Sequence, residues 1–155
     1  MKLAQGLILR ADYKKRLEQL RTRALQNAQV QEDQEPSEDT NQLIKQYNEL
    51  SRKMVQLVAA INRANATEQF DDERTIAEAL AERDELQRRQ STLRNIIEQA
   101  ATTQNRYSQS EIKIVPTVDV HSLQKQVDTL AKEYRELDMK LQELNWHIDI
   151  DYSDT

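Results

Sequence analysis

DVHSLQKQVDTLAKEYRELDMKLQELNW, residues 119–146, is the stretch that decides the fold of this chain. Its apolar and aromatic residues recur at alternating spacings of four and three: Leu123, Val127, Leu130, Tyr134, Leu137, Leu141 and Leu144. This spacing places them on one stripe of an α-helix, as in a helix that buries one seam against partner helices. The stretch predicts a helix over about residues 120–146, with Asp119 as its N-cap.

Three other segments of similar length carry related apolar stripes. They predict helices over about residues 2–28, 40–62 and 76–101, with Asp39 and Thr75 as N-caps of the second and third. Four such helices measure about 40 Å each at 1.5 Å per residue. We therefore expect a single all-α domain over residues 1–155, built as long antiparallel helical hairpins or a four-helix bundle with coiled-coil seams.

Arg83 and Gln90 interrupt the apolar seam of the third helix. A polar side chain at a seam position is paired, exposed at an edge or functional. The sequence leaves these alternatives open.

Three segments depart from helical periodicity and predict minor short strands, near residues 66–74, at 111–115 and at the C-terminus. Asp71 and Asp72 indicate a turn within the first of them. In the tail, Trp146, Ile148, Ile150 and Tyr152 alternate with polar residues. A strand needs a partner, and the candidates are the 111–115 segment or another subunit.

Composition favours long helices and excludes several function classes. The chain has one Gly, two Pro and no Cys, and 32% of its residues are charged. The absence of Cys excludes disulfides and Cys-ligated zinc. A formal net charge of -5 argues against nucleic acid as a partner. The sequence contains no apolar run of membrane-spanning length and no leader-like start, so we expect a cytoplasmic protein and no membrane partner.

Charge is distributed unevenly along the first third of the chain. Seven basic and two acidic residues lie between Lys2 and Arg23, whereas residues 32–39 are strongly acidic. One interpretation is a solvated basic face and an acidic loop; the other is an anion-binding face on the first helix.

No recognisable reaction centre appears in the sequence. The Glu-x-x-His pairs of di-metal bundles are absent, and His121 and His147 are isolated. One Gly cannot build a phosphate-cradling loop, and no Ser lies in a nucleophile elbow. We therefore predict no catalytic residue, no metal site and no cofactor.

Polar clusters near the helix ends are the candidate binding residues. Such side chains either tie down helix termini and loops or bind a ligand. The candidates are Asn62, Arg63, Asn65, Arg83, Asp84, Arg106, Tyr107, Ser108, Ser110, Glu111 and Lys113.

Five segments together resemble a small bacterial family of uncharacterised helical proteins, some of which are labelled septicolysin. The segments are LILRADYKKRLEQLRTR at 7–23, INRAN at 61–65, RTIAEALAERD at 74–84, RYSQSEIKIVPTVDV at 106–120 and LQELNW at 141–146. Glu73 stands where a Gly is common in the family, at the predicted turn. The label implies a cytolysin, although these helices are heavily charged outside one seam and pore formation requires lipid-facing surface.

The sequence leaves three hypotheses about function. The first is a non-catalytic, self-assembling structural or protein-interaction protein, because seam-bearing helices readily pair between chains as homo-oligomers. The second is an anion-binding or small-ligand-binding protein, or an enzyme, with an Arg-lined site. The third is membrane activity through an amphipathic first helix that unpacks onto anionic lipid.

Overall fold

Four long helices make up most of the computed structural model, which describes residues 1–102 and 112–155. They are α1 (Leu3–Gln26), α2 (Thr40–Thr67), α3 (Ile76–Ala101) and α4 (Val120–Asn145). The predicted all-α class is confirmed. Contacts group the chain into two compact units: unit 1 comprises residues 1–76 and 142–155, and unit 2 comprises residues 77–141. The expectation of a single domain stays a prediction.

Aspartates begin two of the helices, as predicted. Asp39 Oδ1 accepts a hydrogen bond from the backbone N–H of Asn41 at 3.0 Å, and Asp119 Oδ1 accepts one from that of His121 at 3.1 Å. These bonds satisfy backbone donors that lack a partner within the first helical turn.

The second helix ends five residues later than predicted, at Thr67 rather than residue 62. Asn62, Arg63 and Asn65 therefore lie within its last turns and do not terminate it. The reason is packing: Ala60, Ile61 and Ala64 are buried and continue the apolar stripe through the polar cluster. The helix stops where Glu68 adopts an extended backbone conformation.

Unit 1 contains the antiparallel pair α1 and α2. Its core includes Tyr13, Leu57 and Ile61, all with 0% exposure. At the turn between the helices, Thr40 Oγ1 donates to the carbonyl of Asn27 at 2.7 Å. Gly6 brings α1 so close to its neighbours that an added Cβ would lie 2.5 Å from Ile150 Cδ1. The close approach explains a glycine inside a helix, where it otherwise costs about 1 kcal/mol relative to alanine.

The predicted short strands reduce to two isolated bridges in the described residues, Gln69 with Thr75 and Lys2 with Asp149. Residues 112–115 contain no strand, and Glu111 lies outside the described residues. The tail's predicted partner was wrong. Instead of residues 111–115 or another subunit, the tail pairs with the chain's own N-terminus, because Leu3 N–H donates to Ile148 O and Ile150 N–H donates to Met1 O, both at 2.8 Å.

Asp71 organises the turn between Gln69 and Thr75, the two residues of the first bridge. Its Oδ1 accepts hydrogen bonds from the backbone N–H groups of Glu73 at 3.0 Å and Arg74 at 2.8 Å. The Arg74 guanidinium binds its other oxygen at 2.6 Å and lies 4.9 Å from the Phe70 ring centroid. No described non-glycine residue has a positive φ, so Glu73 fits this turn without strain.

Unit 2 is the hairpin of α3 and α4. Arg83 Nη1 on α3 donates to Asp138 Oδ1 on α4 at 2.9 Å, which sets the antiparallel register. Among its described apolar side chains only Ala79, Val127, Leu130 and Leu141 are buried. The remaining large seam residues are half-buried: Leu80, Leu86, Leu93, Ile97, Leu123, Tyr134 and Leu137.

Candidate functional site

The predicted binding residues do not assemble into one site within the described part of the chain. In unit 1, Asn62 and Arg63 are exposed and Asn65 is half-buried, all on α2. In unit 2, Arg83 and Asp84 approach to 3.8 Å and Lys113 is exposed in a non-helical segment. Five candidates lie outside the described residues: Arg106, Tyr107, Ser108, Ser110 and Glu111.

Both polar residues in the α3 seam have partners. Arg83 forms its ion pair with Asp138, and the two side chains are only 24% and 31% exposed. Gln90 is buried, and its Oε1 accepts a hydrogen bond from Arg94 Nη2 at 3.3 Å. The Arg83–Asp138 pair joins α3 to α4 and leaves the guanidinium of Arg83 committed to a carboxylate, whereas the Gln90–Arg94 bond lies within α3.

A polar groove of about 340 Å³ runs between α1 and α2 in unit 1. Its cations are Arg16, Arg23 and Lys53. Each already has a carboxylate neighbour: Asp12 lies 3.8 Å from Arg16, Asp154 lies 3.4 Å from Lys53, and Glu38 binds Arg23 through two hydrogen bonds. The Arg23 hydrogen bonds lower the pKa of Glu38. An anion entering this groove would compete with carboxylates already in place, so the three cations of the groove form an ion-paired surface.

A hydrogen-bonded cluster ties the C-terminal tail to the core of unit 1. The Tyr13 hydroxyl bonds to Asp154, and it lies 2.9 Å from the hydroxyl of Tyr152. Burial, and then the bond to Asp154, raise the pKa of Tyr13, whereas the bond from Tyr13 lowers the pKa of Asp154. A tyrosine that stays protonated is a poor base or nucleophile, so this cluster fastens the tail. Sequence analysis missed it because the partners lie far apart along the chain.

Two adjoining clefts open on the α3–α4 hairpin of unit 2. Their volumes are about 360 and 230 Å³, and Arg89 and Gln126 line both. We call the combined surface the hairpin cleft; its other lining residues are Glu85, Arg88, Thr92, Leu93, Ser122, Lys125, Thr129, Leu130 and Glu133.

The hairpin cleft combines apolar surface with uncommitted positive charge. Leu93 on α3 is half-buried, and Leu130 on α4 is 5% exposed. In residues 1–102 and 112–155, Arg89 and Lys125 have no ion-pair partner. Apolar patches flanked by charge are typical of protein interaction surfaces. Sequence analysis missed this cleft, although the grouping of charges along the hairpin was a readable signal.

Residues 1–102 and 112–155 hold neither a metal-binding cluster nor a membrane-spanning helix. They contain no group of three or more metal-ligating side chains. None of their helices combines the length and apolar character that crossing a membrane requires.

Comparison with known proteins yields one family and one solved structure. A model of a family of unknown function, DUF6847, matches residues 10–150. A functionally unknown conserved protein from Corynebacterium diphtheriae, solved by crystallography, is 36% identical to this chain. Its fold superimposes with a TM-score of 0.91, over 97% of this chain and 99% of that one. Curated proteins give no match.

Proposed function

We propose a non-catalytic structural or protein-interaction role, based on self-assembly, for this chain, which belongs to the DUF6847 family of unknown function. The assembling surface in this proposal is the α3–α4 hairpin. Its partner is a second copy of the same chain.

The half-exposed seam of unit 2 carries the proposal. Leu86, Leu93 and Ile97 on α3 are only partly buried, and Ile96 is 40% exposed. Complete burial of such a side chain contributes about 1.5–3 kcal/mol, so a substantial part of this stabilisation is unrealised in one chain. Two hairpins that pack seam to seam form a four-helix arrangement and recover it.

Sedimentation velocity from low to high micromolar concentration tests self-assembly. We expect the wild-type chain to sediment as a dimer at the upper end. Ile96 follows Leu93 by three residues and therefore shares its side of α3. Ile96→Glu should give a monomer, because it would bury a charge at the contact.

Ile8→Glu is the matched control, because Ile8 is 63% exposed on α1 in the other unit. The control should dimerise like the wild type. A wild-type chain that remains a strict monomer at every concentration would refute the proposal.

An anion-binding role at the hairpin cleft is the second candidate. Arg89 and Lys125 supply uncommitted cations there, and Ser122 and Thr129 supply hydroxyl groups. These are the donors that a phosphate or carboxylate requires. Titration calorimetry with inorganic phosphate should then give heat that Arg89→Gln/Lys125→Gln abolishes; no heat with either protein would reject this candidate.

The septicolysin label, the cytolytic activity it implies and a cytoplasmic location remain predictions. Release of dye from anionic liposomes is the direct test of membrane activity. Liposomes that stay sealed at micromolar protein would exclude a lytic role on such membranes.

A further inference from the structure

Charge is segregated along the α3–α4 hairpin. The register of Arg83 with Asp138 divides it into a tip half, residues 86–101 with 120–135, and a base half, residues 77–85 with 136–141. The tip half contains six basic and three acidic residues, whereas the base half contains two basic and six acidic residues. The hairpin is therefore positive at its tip and negative at its base.

Ion pairs join the two halves at their boundary, Arg88 with Glu85 and Lys132 with Glu136, whereas most of the charges in each half lie farther from the other half. Their centres are about 12 residues apart along α3, which corresponds to roughly 18 Å at 1.5 Å per residue. Screening at physiological salt limits interactions between exposed charges to about 8 Å. The charges of a neighbouring molecule that packs alongside lie within that range, so they decide which orientation is favoured.

A second hairpin can lie parallel or antiparallel to the first. Parallel packing places tip against tip and base against base, so like charges meet at both ends. Antiparallel packing places each positive tip beside a negative base. A two-fold axis perpendicular to the hairpin produces this contact twice, as is usual in homodimers.

The hairpin cleft lies where the acidic base of an antiparallel partner would arrive. Arg89 and Lys125 line it and belong to the tip half. Glu82 and Glu85, one helical turn apart on α3, are exposed in the base half. Glu85 lies at the boundary, where it lines the cleft of its own chain and pairs with Arg88, so a partner's cations would share its carboxylate.

We infer that two copies of this chain pair antiparallel through their α3–α4 hairpins, the basic cleft of each receiving acidic side chains from the base half of the other. This inference rests on the proposed self-assembly and adds its orientation and its recognition chemistry. Tip charges determine both affinity and the choice of partner.

Charge reversal tests the orientation. The tip variant Arg89→Glu/Lys125→Glu should weaken dimerisation at least about tenfold at 0.1 M salt, because each of two symmetric contacts then brings like charges together. Parallel packing predicts no weakening of dimerisation by the tip variant, because each tip would then face another tip and like charges would meet before and after the reversal. The control Lys45→Glu/Arg52→Glu makes the same change in net charge at exposed positions on α2 and should leave the dissociation constant unchanged.

The four-site variant Arg89→Glu/Lys125→Glu/Glu82→Lys/Glu85→Lys gives the decisive comparison. Because it reverses all four charges of the proposed contact, it should dimerise with itself more tightly than the tip variant does and fail to pair with a fluorescently labelled wild-type chain. Preferential pairing with the wild type, or a tip variant as tight as wild type, would overturn the antiparallel inference while self-assembly stands. A monomeric wild-type chain would instead refute the proposed function itself.

Discussion

A double-mutant cycle of Gly6→Ala and Ile150→Val tests how the C-terminal tail packs on α1. A Cβ at position 6 would lie 2.5 Å from Ile150 Cδ1, about 0.9 Å inside the 3.4 Å limit of ordinary contact. The same Cβ would lie 3.6 Å from Leu57 and 3.7 Å from Ile61, which is ordinary contact. The clash therefore involves a single methyl group, the one that Ile150→Val removes.

The expected coupling free energy follows from two opposing effects of Gly6→Ala on stability. In the wild-type background Gly6→Ala gains about 1 kcal/mol of helix propensity and loses about 1–3 kcal/mol to overpacking. In the Ile150→Val background only the gain remains, although Ile150→Val alone costs about 0.5–1.5 kcal/mol. We therefore expect a coupling free energy of about 1–3 kcal/mol between the two substitutions.

Urea unfolding followed by circular dichroism measures the free energy of unfolding of all four proteins. The single tryptophan, Trp146, lies just before the tail and reports on it by fluorescence. Ile148→Val is the matched control in the tail, and it should show no coupling with Gly6→Ala. Effects of Gly6→Ala and Ile150→Val that add within about 0.3–0.5 kcal/mol would refute the packing argument.

Three further substitutions test the polar contacts. Tyr13→Phe should lower the free energy of unfolding by about 1 kcal/mol at pH 7 and raise the pKa of Asp154. The lowered pKa of Asp154 stabilises the folded state above pH 3.8, and this stabilisation is lost as the pH falls. The urea midpoint of the variant should therefore depend less on pH in acid than that of the wild type. Asp71→Asn should speed amide exchange in the 69–75 turn at neutral pH. The exchange rates of the two proteins should converge as the pH falls through about 2, the pKa of Asp71. A difference in rate that does not change with pH would contradict the ion-pair role of Asp71. Arg83→Leu should lower the free energy of unfolding by about 1–3 kcal/mol, because it leaves Asp138 without its cation. The double variant Arg83→Leu/Asp138→Leu should recover most of that loss. Equal free energies of unfolding for the two variants would argue against the ion pair.

The C-terminal tail shows why some predictions of the fold failed. Alternation of Ile148 and Ile150 correctly indicated extended backbone, yet it named no partner. That partner is residues 1–3, at the opposite end of the chain. A strand's pattern records which side chains are buried, and it carries no information on which backbone satisfies its hydrogen bonds.

The candidate site was harder to predict than the fold because the sequence alone does not show which charged residues pair with which. With 22 basic and 27 acidic residues, the sequence permits very many ion pairs. Arg83 was predicted as a candidate because it interrupts a seam, whereas for Arg89 and Lys125 the signal in the sequence was only the grouping of like charges along two helices. Their significance depends on α3 and α4 lying side by side and on the absence of partners among the described residues.

The sequence by itself determined four helices, their approximate limits and their apolar stripes. Helical packing repeats every three or four residues, so neighbours along the chain encode it. Only the tertiary structure decided that the tail joins the N-terminus, that Tyr13 bonds to Asp154, that Arg83 faces Asp138 and that Gly6 lies against Ile150. Each of these is a contact between residues distant in sequence, and its energy depends on distances that exist only after the helices have packed.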